Sequence, residues 1–385
     1  MWRLTQRSEA DRFGEEHLRG AMRKTREAIQ RGIDAGHHFG AQIYVSREGA
    51  PVLDETIGGD REGRAYSRDT LSIWMSACKP VGAVAFAQLW EAGRVDLDAP
   101  VATVIPEFAQ GGKEAISFRH LLTHSGGFRP IDFDDIVTSW DETLARICAM
   151  PLEPGWIVGE TVGYHDRTSW YVLAEAIRRI DGRPFPVYVR EELFDPMGMP
   201  DSWIGMPAGK WLGYGERIGV NYRTEGGHQG AHDWHTEAHC TACRPGGNAR
   251  GPIRDLGRFY EMLLGGGELE GVRIVSKQTV REFTRIHSEG VFDQTFRHRM
   301  NWGLGFIVDS KQYGVQTVPY GFGKHCSPRT FGHGGYQGTS GFADPEHGLA
   351  VAISFNGTPG EPKHNKRIRD VASAIYEDMG LVPGP

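Results

Sequence analysis

The stretch from Ser76 to Gly93 constrains the fold of this chain more than any other. Val81 to Trp90 (VGAVAFAQLW) is an apolar run rich in good helix formers, so a helix formed there must be buried on nearly every side. Pro80 is tolerated in a first helical turn, and Gly93 supplies a stop. Just ahead of the run stands Ser76-Ala77-Cys78-Lys79. Residues three apart share one helical face, which lets the Lys79 amine reach Ser76 Oγ. The Ser76 N–H, in a first turn, has no intrahelical acceptor. One turn thus combines a nucleophile, a proton acceptor and a donor for a developing oxyanion. Ser-x-x-Lys is short and frequent on solvated helices; its place at the head of a buried helix, with that end in a cleft, makes it a candidate site.

Composition narrows the function classes. At 385 residues the chain can form one large domain or two compact ones. A net charge of −6, with no basic run beyond short clusters such as Lys363 to Arg369, argues against nucleic-acid binding. No segment approaches the roughly 18 consecutive apolar residues that cross a bilayer. The N-terminal MWRLTQRSEADRFGEEHLRG is too charged for a secretory signal, so a cytoplasmic protein without a membrane partner is expected. Five cysteines (Cys78, Cys148, Cys240, Cys243, Cys326) are an odd number that fits a reducing compartment better than a disulfide framework. Cys240-x-x-Cys243 follows His228, His232, His235 and His239, and His325-Cys326 lies further on. Zinc uses such ligands, but the spacing matches no compact zinc module; neither metal nor cofactor is expected. Nothing in the sequence signals an oligomeric state.

Along the chain, Glu9 to Ala35 reads as an amphipathic helix, and Gly40 to Leu53 as two β-rich runs joined at Arg47-Glu48-Gly49, a hairpin signal. From Asp69 to about Trp203 helical patterns dominate, including Ser169 to Arg179 and Val187 to Leu193. Residues 205–250 are rich in Gly, His and aromatics with little periodicity, the pattern of a long loop or lid. Past Pro252 comes a helix to Leu264, then strand-like runs at Trp302 to Val308, Arg329 to Phe331, Gly338 to Phe342 and Leu349 to Phe355, and a last helix from about Lys366 to Met379. The expected architecture is α+β, an antiparallel sheet flanked by terminal helices with a mostly helical domain inserted. The sheet domain would comprise residues 1–68 plus 251–385, the helical domain 69–250, with a cleft between them.

Two further segments supply partners for Ser76. Gly163-Tyr164-His165-Asp166 precedes the Ser169 helix; a tyrosine there can present its phenol, and a neighbouring ammonium would lower its pKa. Phe331-Gly332-His333-Gly334-Gly335-Tyr336 precedes a strand-like run, and its glycines let a substrate carbonyl approach backbone N–H groups.

Together these segments resemble the serine β-lactamase and penicillin-binding-protein superfamily, most closely class C β-lactamases and family VIII carboxylesterases. The resemblance runs in order through the Ser76 helix, Phe118-Arg119-His120-Leu121-Leu122-Thr123-His124-Ser125-Gly126-Gly127, Tyr164-His165-Asp166 at a Tyr-x-Asn position, Gly246-Gly247 before Asp255-Leu256-Gly257-Arg258-Phe259, Trp302-Gly303-Leu304-Gly305, and His333-Gly334-Gly335 at a Lys-Thr-Gly position. It implies that Ser76 is acylated, that Lys79 and Tyr164 manage its proton, and that the N–H groups of Ser76 and Tyr336 hold the oxyanion. Asp166, His333, Gly334 and Gly335 would line the substrate site, while His120 and His124 would shape the fold nearby.

Two departures from the β-lactamase pattern bear on substrate. His333 replaces a lysine and is largely neutral at pH 7 if it keeps a pKa of about 6.5, which removes a fixed charge for a substrate carboxylate and favours esters. Asp166 replaces an asparagine and could hold Lys79 as an ammonium, leaving Tyr164 as principal base. Trp156, Trp234, Trp302 and Tyr336 are candidate apolar walls. The expectation is a serine hydrolase acting on small ester substrates through an acyl-enzyme. An amidase or D-stereospecific peptidase, an acyltransferase, a weak β-lactamase and a silent binding protein of the same fold remain alternatives. The chain has no Gly-x-Ser-x-Gly elbow, which sets it apart from α/β-hydrolases.

Overall fold

Glu48 and Gly49 both take left-handed conformations, φ 52° and 79°, as a two-residue hairpin turn of the favoured twist requires. They join β1 (Gly40–Arg47) to β2 (Ala50–Gly58), the hairpin expected from Arg47-Glu48-Gly49. The structure is a computed structural model that describes residues 22–64 and 66–382. The expected N-terminal helix is described as α1, Arg23–Asp34; the part of it that precedes Met22 lies outside the described residues.

The sheet continues far along the chain. Strands β3 (Ser288–Asp293), β4 (His298–Trp302), β5 (Ile307–Val308), β6 (Phe331–Gly335), β7 (Thr339–Asp344) and β8 (Leu349–Phe355) complete eight strands in the order β2-β1-β8-β7-β6-β5-β4-β3. Every neighbouring pair is antiparallel. The fold is therefore α+β, with both ends of the chain in one sheet.

β8 is buried along its whole length, because helices cover both faces. Leu349, Val351, Ile353 and Phe355 pack with Ile368, Val371 and Ile375 of α5, the helix Glu361–Asp378 that also contacts α1. Ala350 and Ala352 face Leu256, Phe259 and Tyr260 of α4, Ile253–Leu264. The small β8 side chains and Gly341 on β7 admit that helix closely: a Cβ at Gly341 would stand 2.4 Å from the Tyr260 ring. The alternation is the period-two pattern of a strand buried on both sides.

The apolar run forms α2, Lys79–Glu91, with all but Gln88, Trp90 and Glu91 buried. It packs on α3, Thr168–Asp181, where Trp170 lies against Gly82, and Phe86 packs on Phe118 with ring centroids 5.0 Å apart. The structure departs from expectation in three places. Trp302 to Val308 is two paired strands rather than one, because Gly303 to Gly305 turns the chain; Gly305 has φ 80°, and a Cβ on it would stand 2.6 Å from Ala83 Cβ. The last helix starts at Glu361, not Lys366, with Pro362 in its first turn. Residues 205–250 carry short helices at Ala208–Tyr214 and Glu237–Thr241. Among the described residues no helix is long and apolar enough to cross a membrane.

Phe86 is 0% exposed and Leu212 is 75% exposed, which gives a paired test of this core. Phe86→Ala should lose about 3–5 kcal/mol of unfolding free energy, and Leu212→Ala should stay within about 0.5 kcal/mol, both by denaturant titration.

Candidate active site

Ser76 lies in a 3₁₀ turn, Met75–Cys78, that runs directly into α2. The turn is entered with Met75 in a left-handed conformation, φ 49°, a strained state for a side-chain-bearing residue that surrounding contacts must hold. β6 holds it. A Cβ at Gly335 would stand 2.3 Å from Trp74 O, and one at Gly334 2.2 Å from the Tyr320 ring, so only glycines let this strand pass so near the serine. Phe331 to Gly335 is itself the strand β6, and a turn follows at Tyr336 to Gly338.

Ser76 Oγ sits between two side chains. Lys79 Nζ donates to it at 3.0 Å, and Tyr164 OH at 2.7 Å. Lys79 is 0% exposed and also donates to Asp166 O at 2.7 Å and Gly246 O at 2.6 Å, so its three acceptors match the three protons of an ammonium. Burial works the other way, with help from Arg244 and Arg167, and brings the Lys79 pKa from 10.5 down to about 7. The amine is therefore poised between its two forms at neutral pH. Burial likewise pushes the Tyr164 phenol well above 10, against the hydrogen bond to Ser76. The expected lowering of the Tyr164 pKa is thus reversed. The expected Asp166 contact is made by its backbone carbonyl; the carboxylate is half exposed and pairs with Arg167 at 3.3 Å.

Tyr164 is fixed from behind. Its ring is stacked with Phe296 at 4.8 Å and Trp302 at 6.0 Å, and packs on His124 at 5.0 Å. Its N–H donates to both oxygens of Asp293, at 3.0 and 3.2 Å. The same buried carboxylate accepts from the N–H groups of Thr295 and Phe296, each at 2.8 Å. Asp293 therefore ties the Tyr164 loop to the turn between β3 and β4. Thr295 Oγ1 adds a bond to Tyr164 O at 2.9 Å.

The neighbouring histidines brace the loops. His165 accepts from Gly127 and Phe128 N–H at Nε2 while its Nδ1–H donates to Gly163 O at 2.7 Å. His120 completes a capping box with Ser117. His333, 1% exposed, donates from Nδ1 to Gly334 O at 2.6 Å; burial, reinforced by Lys79, lowers its pKa to about 3, so it is neutral and its Nε2 is an acceptor.

A cavity of about 910 Å³ opens over Ser76, lined by Tyr164, Asp166, His333, Gly334 and Tyr336 among others. Of the expected aromatic walls, Trp234 and Tyr336 line it; Trp302 stands behind Tyr164, and Trp156 packs on Arg129. Phe296 and Tyr320, which carry no local signal in the sequence, line it as well. Neither the Ser76 N–H nor the Tyr336 N–H donates to another backbone group among the described residues. At the mouth, Asp135 accepts from Arg167 at 3.1 Å and from Arg244 at 3.0 Å. The His- and Cys-rich segment is dispersed: His232 bonds Thr358 and stacks on Trp234, His239 bonds Thr236, and Cys240 faces the carbonyls of Trp234 and His235. No group of three or more metal-binding side chains converges among the described residues.

Sequence reasoning missed Asp293, whose only local signal is an Asp accepting from the backbone two and three residues on, as in a turn. Replacing it by Ala strands four donor contacts, so Asp293→Ala should lose roughly 3 kcal/mol or more in a denaturant titration. Thr295→Val should lose only about 1 kcal/mol.

A family described as Beta-lactamase matches residues 25–375. The esterase/beta-lactamase LipL of Mycobacterium tuberculosis is 26% identical, over 83% of this chain and 78% of that protein. A penicillin-binding-protein homologue from Caulobacter crescentus superposes with a TM-score of 0.78 at 28% identity, over 93% of this chain and 97% of that one. A family VIII carboxylesterase superposes with a TM-score of 0.74 at 27% identity, over the same shares. A match over nearly the whole chain, and a serine bracketed by lysine and tyrosine at the cleft, make this chain a member of the β-lactamase family.

Proposed function

We propose that the protein is a serine hydrolase that cleaves carboxylic esters through an acyl-enzyme on Ser76. The observation that carries this reading is the bracketing of Ser76 Oγ by Lys79 Nζ at 3.0 Å and Tyr164 OH at 2.7 Å, at the floor of the cavity of about 910 Å³. The relatives include proteins named as esterases, which supports the same reaction class.

In this reading the base is Lys79. Its neutral form, abundant near pH 7 because burial lowers its pKa to about 7, takes the Ser76 proton as Oγ bonds to the ester carbon. The N–H groups of Ser76 and Tyr336 receive the oxyanion. The C–O bond to the alcohol then breaks, and Tyr164, protonated because its pKa is raised, gives its proton to the departing alkoxide and is reprotonated from Lys79. Water attacks the acyl carbon by the same route in reverse, releasing the acid and restoring Ser76. The assignment of Tyr164 as principal base, drawn from the sequence, is replaced for a physical reason: a buried phenol holds its proton, and a buried amine gives its proton up.

Esters are favoured over β-lactams because the wall opposite α2 carries neutral His333 where a substrate carboxylate would need a cation. Asp166, Gly334 and Gly335 have different parts in this reading. Asp166 and Gly334 line the cavity, and Gly335 sets the distance between β6 and the serine turn.

A fluorophosphonate should phosphonylate Ser76 alone, adding the reagent's mass less that of the HF released, and no adduct would leave a silent binding protein. Activity on p-nitrophenyl acetate should fall as pH drops below about 7, because protonation removes the base, and Lys79→Arg should lower kcat by about 10²–10⁴. Tyr164→Phe should keep most of its acylation burst with p-nitrophenyl acetate, whose leaving group needs no proton, but lose turnover of alkyl esters by a similar factor. Equal losses on both substrates would return the base role to Tyr164.

A further inference from the structure

The cavity above Ser76 is lined by five charged side chains, and four of them are neutralised in place. Arg129 is forked onto Glu153 at 2.6 Å, Arg167 and Arg244 share Asp135, and Asp166 pairs with Arg167. The fifth is Glu361, the first residue of α5. It forms no ion pair among the described residues. Its Oε1 accepts from Tyr320 OH at 2.7 Å, and its Oε2 accepts nothing from them. Glu225 approaches the same corner, its Oε1 standing 2.6 Å from where a Cβ on Gly360 would lie. Burial, with Glu225 adding to it, raises the Glu361 carboxyl above its ordinary range, the condition of a partly buried carboxylate that lacks a cation.

A second observation on the same wall is independent of charge. His333 is 1% exposed, lines the cavity, and gives its only ring proton to Gly334 O, so its Nε2 is an acceptor with no partner. A buried acceptor left open beside a cavity marks where a donor is to come from. The two acceptors flank Tyr320, whose ring packs against Gly334 while its hydroxyl holds Glu361. The wall therefore offers lone pairs and negative charge to whatever fills it, and no cation for a carboxylate.

We propose that this wall is a subsite for an ammonium group, and that the preferred substrates are esters carrying a primary amine remote from the scissile carbonyl, with Glu361 as the counter-ion. A primary ammonium suits the site better than a quaternary one, because its N–H groups can satisfy Glu361 Oε2 as well as compensate its charge. The inference rests on the ester hydrolase reading above and names its substrate class.

The test uses two matched pairs on the full chain: p-nitrophenyl ε-aminocaproate against p-nitrophenyl heptanoate, with the amine on the acyl side, and aminohexyl butyrate against heptyl butyrate, with the amine on the alcohol side. In one pair the cationic ester should be preferred by roughly tenfold or more in kcat/KM, the size expected of one charge-assisted hydrogen bond. Glu361→Gln should bring that ratio close to one, and Glu361→Asp should leave it intermediate; the ratio cancels any general loss of activity. Equal or opposite preference in both pairs, or a preference that survives Glu361→Gln, overturns the proposal. Titration calorimetry of Ser76→Ala with the same pairs reads the preference without turnover. Failure of the hydrolase reading would therefore show as inert p-nitrophenyl acetate, and failure of the subsite as equal binding of the paired esters.

Discussion

The active site depends on burying one amine. Lys79 stands at the foot of a helix that is apolar almost throughout, 0% exposed, with its Nζ hydrogen-bonded among the described residues to Ser76 Oγ and the carbonyls of Asp166 and Gly246. Those two carbonyls come from different segments, the loop before α3 and the turn at residues 245–247 ahead of α4. The amine therefore reports whether three parts of the chain have met. Burial sets its proton affinity, and the carbonyls set its position. The same burial raises the proton affinity of Tyr164, so that an amine that loses its proton readily and a phenol that keeps its own are the side chains hydrogen-bonded to Ser76 Oγ among the described residues.

The rest of the fold can be understood as what holds that arrangement against its own strain. Met75 sits at positive φ, and β6 closes over the turn through glycines that leave no room for a side chain. Behind Tyr164, Asp293 uses a single buried carboxylate to join the loop before α3 to the turn between β3 and β4, and the stacked rings of Phe296 and Trp302 remove the freedom that remains. Precise placement of this kind is what covalent catalysis needs from a scaffold.

Much of this was legible in the sequence because it is carried by local pattern. Val81 to Trp90 declares a buried helix, Arg47-Glu48-Gly49 a hairpin turn, and Leu349 to Phe355 a strand; Lys79 and Tyr164, singled out with Ser76 by spacing and by resemblance, are brought within hydrogen-bond distance of its Oγ. What was not legible depends on depth and on partners far along the chain. The pKa shifts of Lys79 and Tyr164 come from desolvation, which no motif states, and in the proposed mechanism they move the base role from Tyr164 to Lys79. Asp293 and Glu361 lie over one hundred residues from Ser76 in sequence and look like ordinary acids; only their positions, one under the Tyr164 loop and one in the cavity wall, give them a part. The histidines before Cys240 illustrate the reverse: a suggestive cluster in sequence that folding scatters among separate partners.

In the proposed mechanism burial makes Lys79 a base at neutral pH. An NMR titration of the resting protein labelled with ¹³C at lysine Cε, with the Lys79 signal assigned by its loss in Lys79→Arg, reads that proton affinity. A midpoint near 7 is expected for that signal. A midpoint that stays near the 10.5 of an exposed lysine would contradict it and would make Lys79 a fixed positive charge beside Ser76.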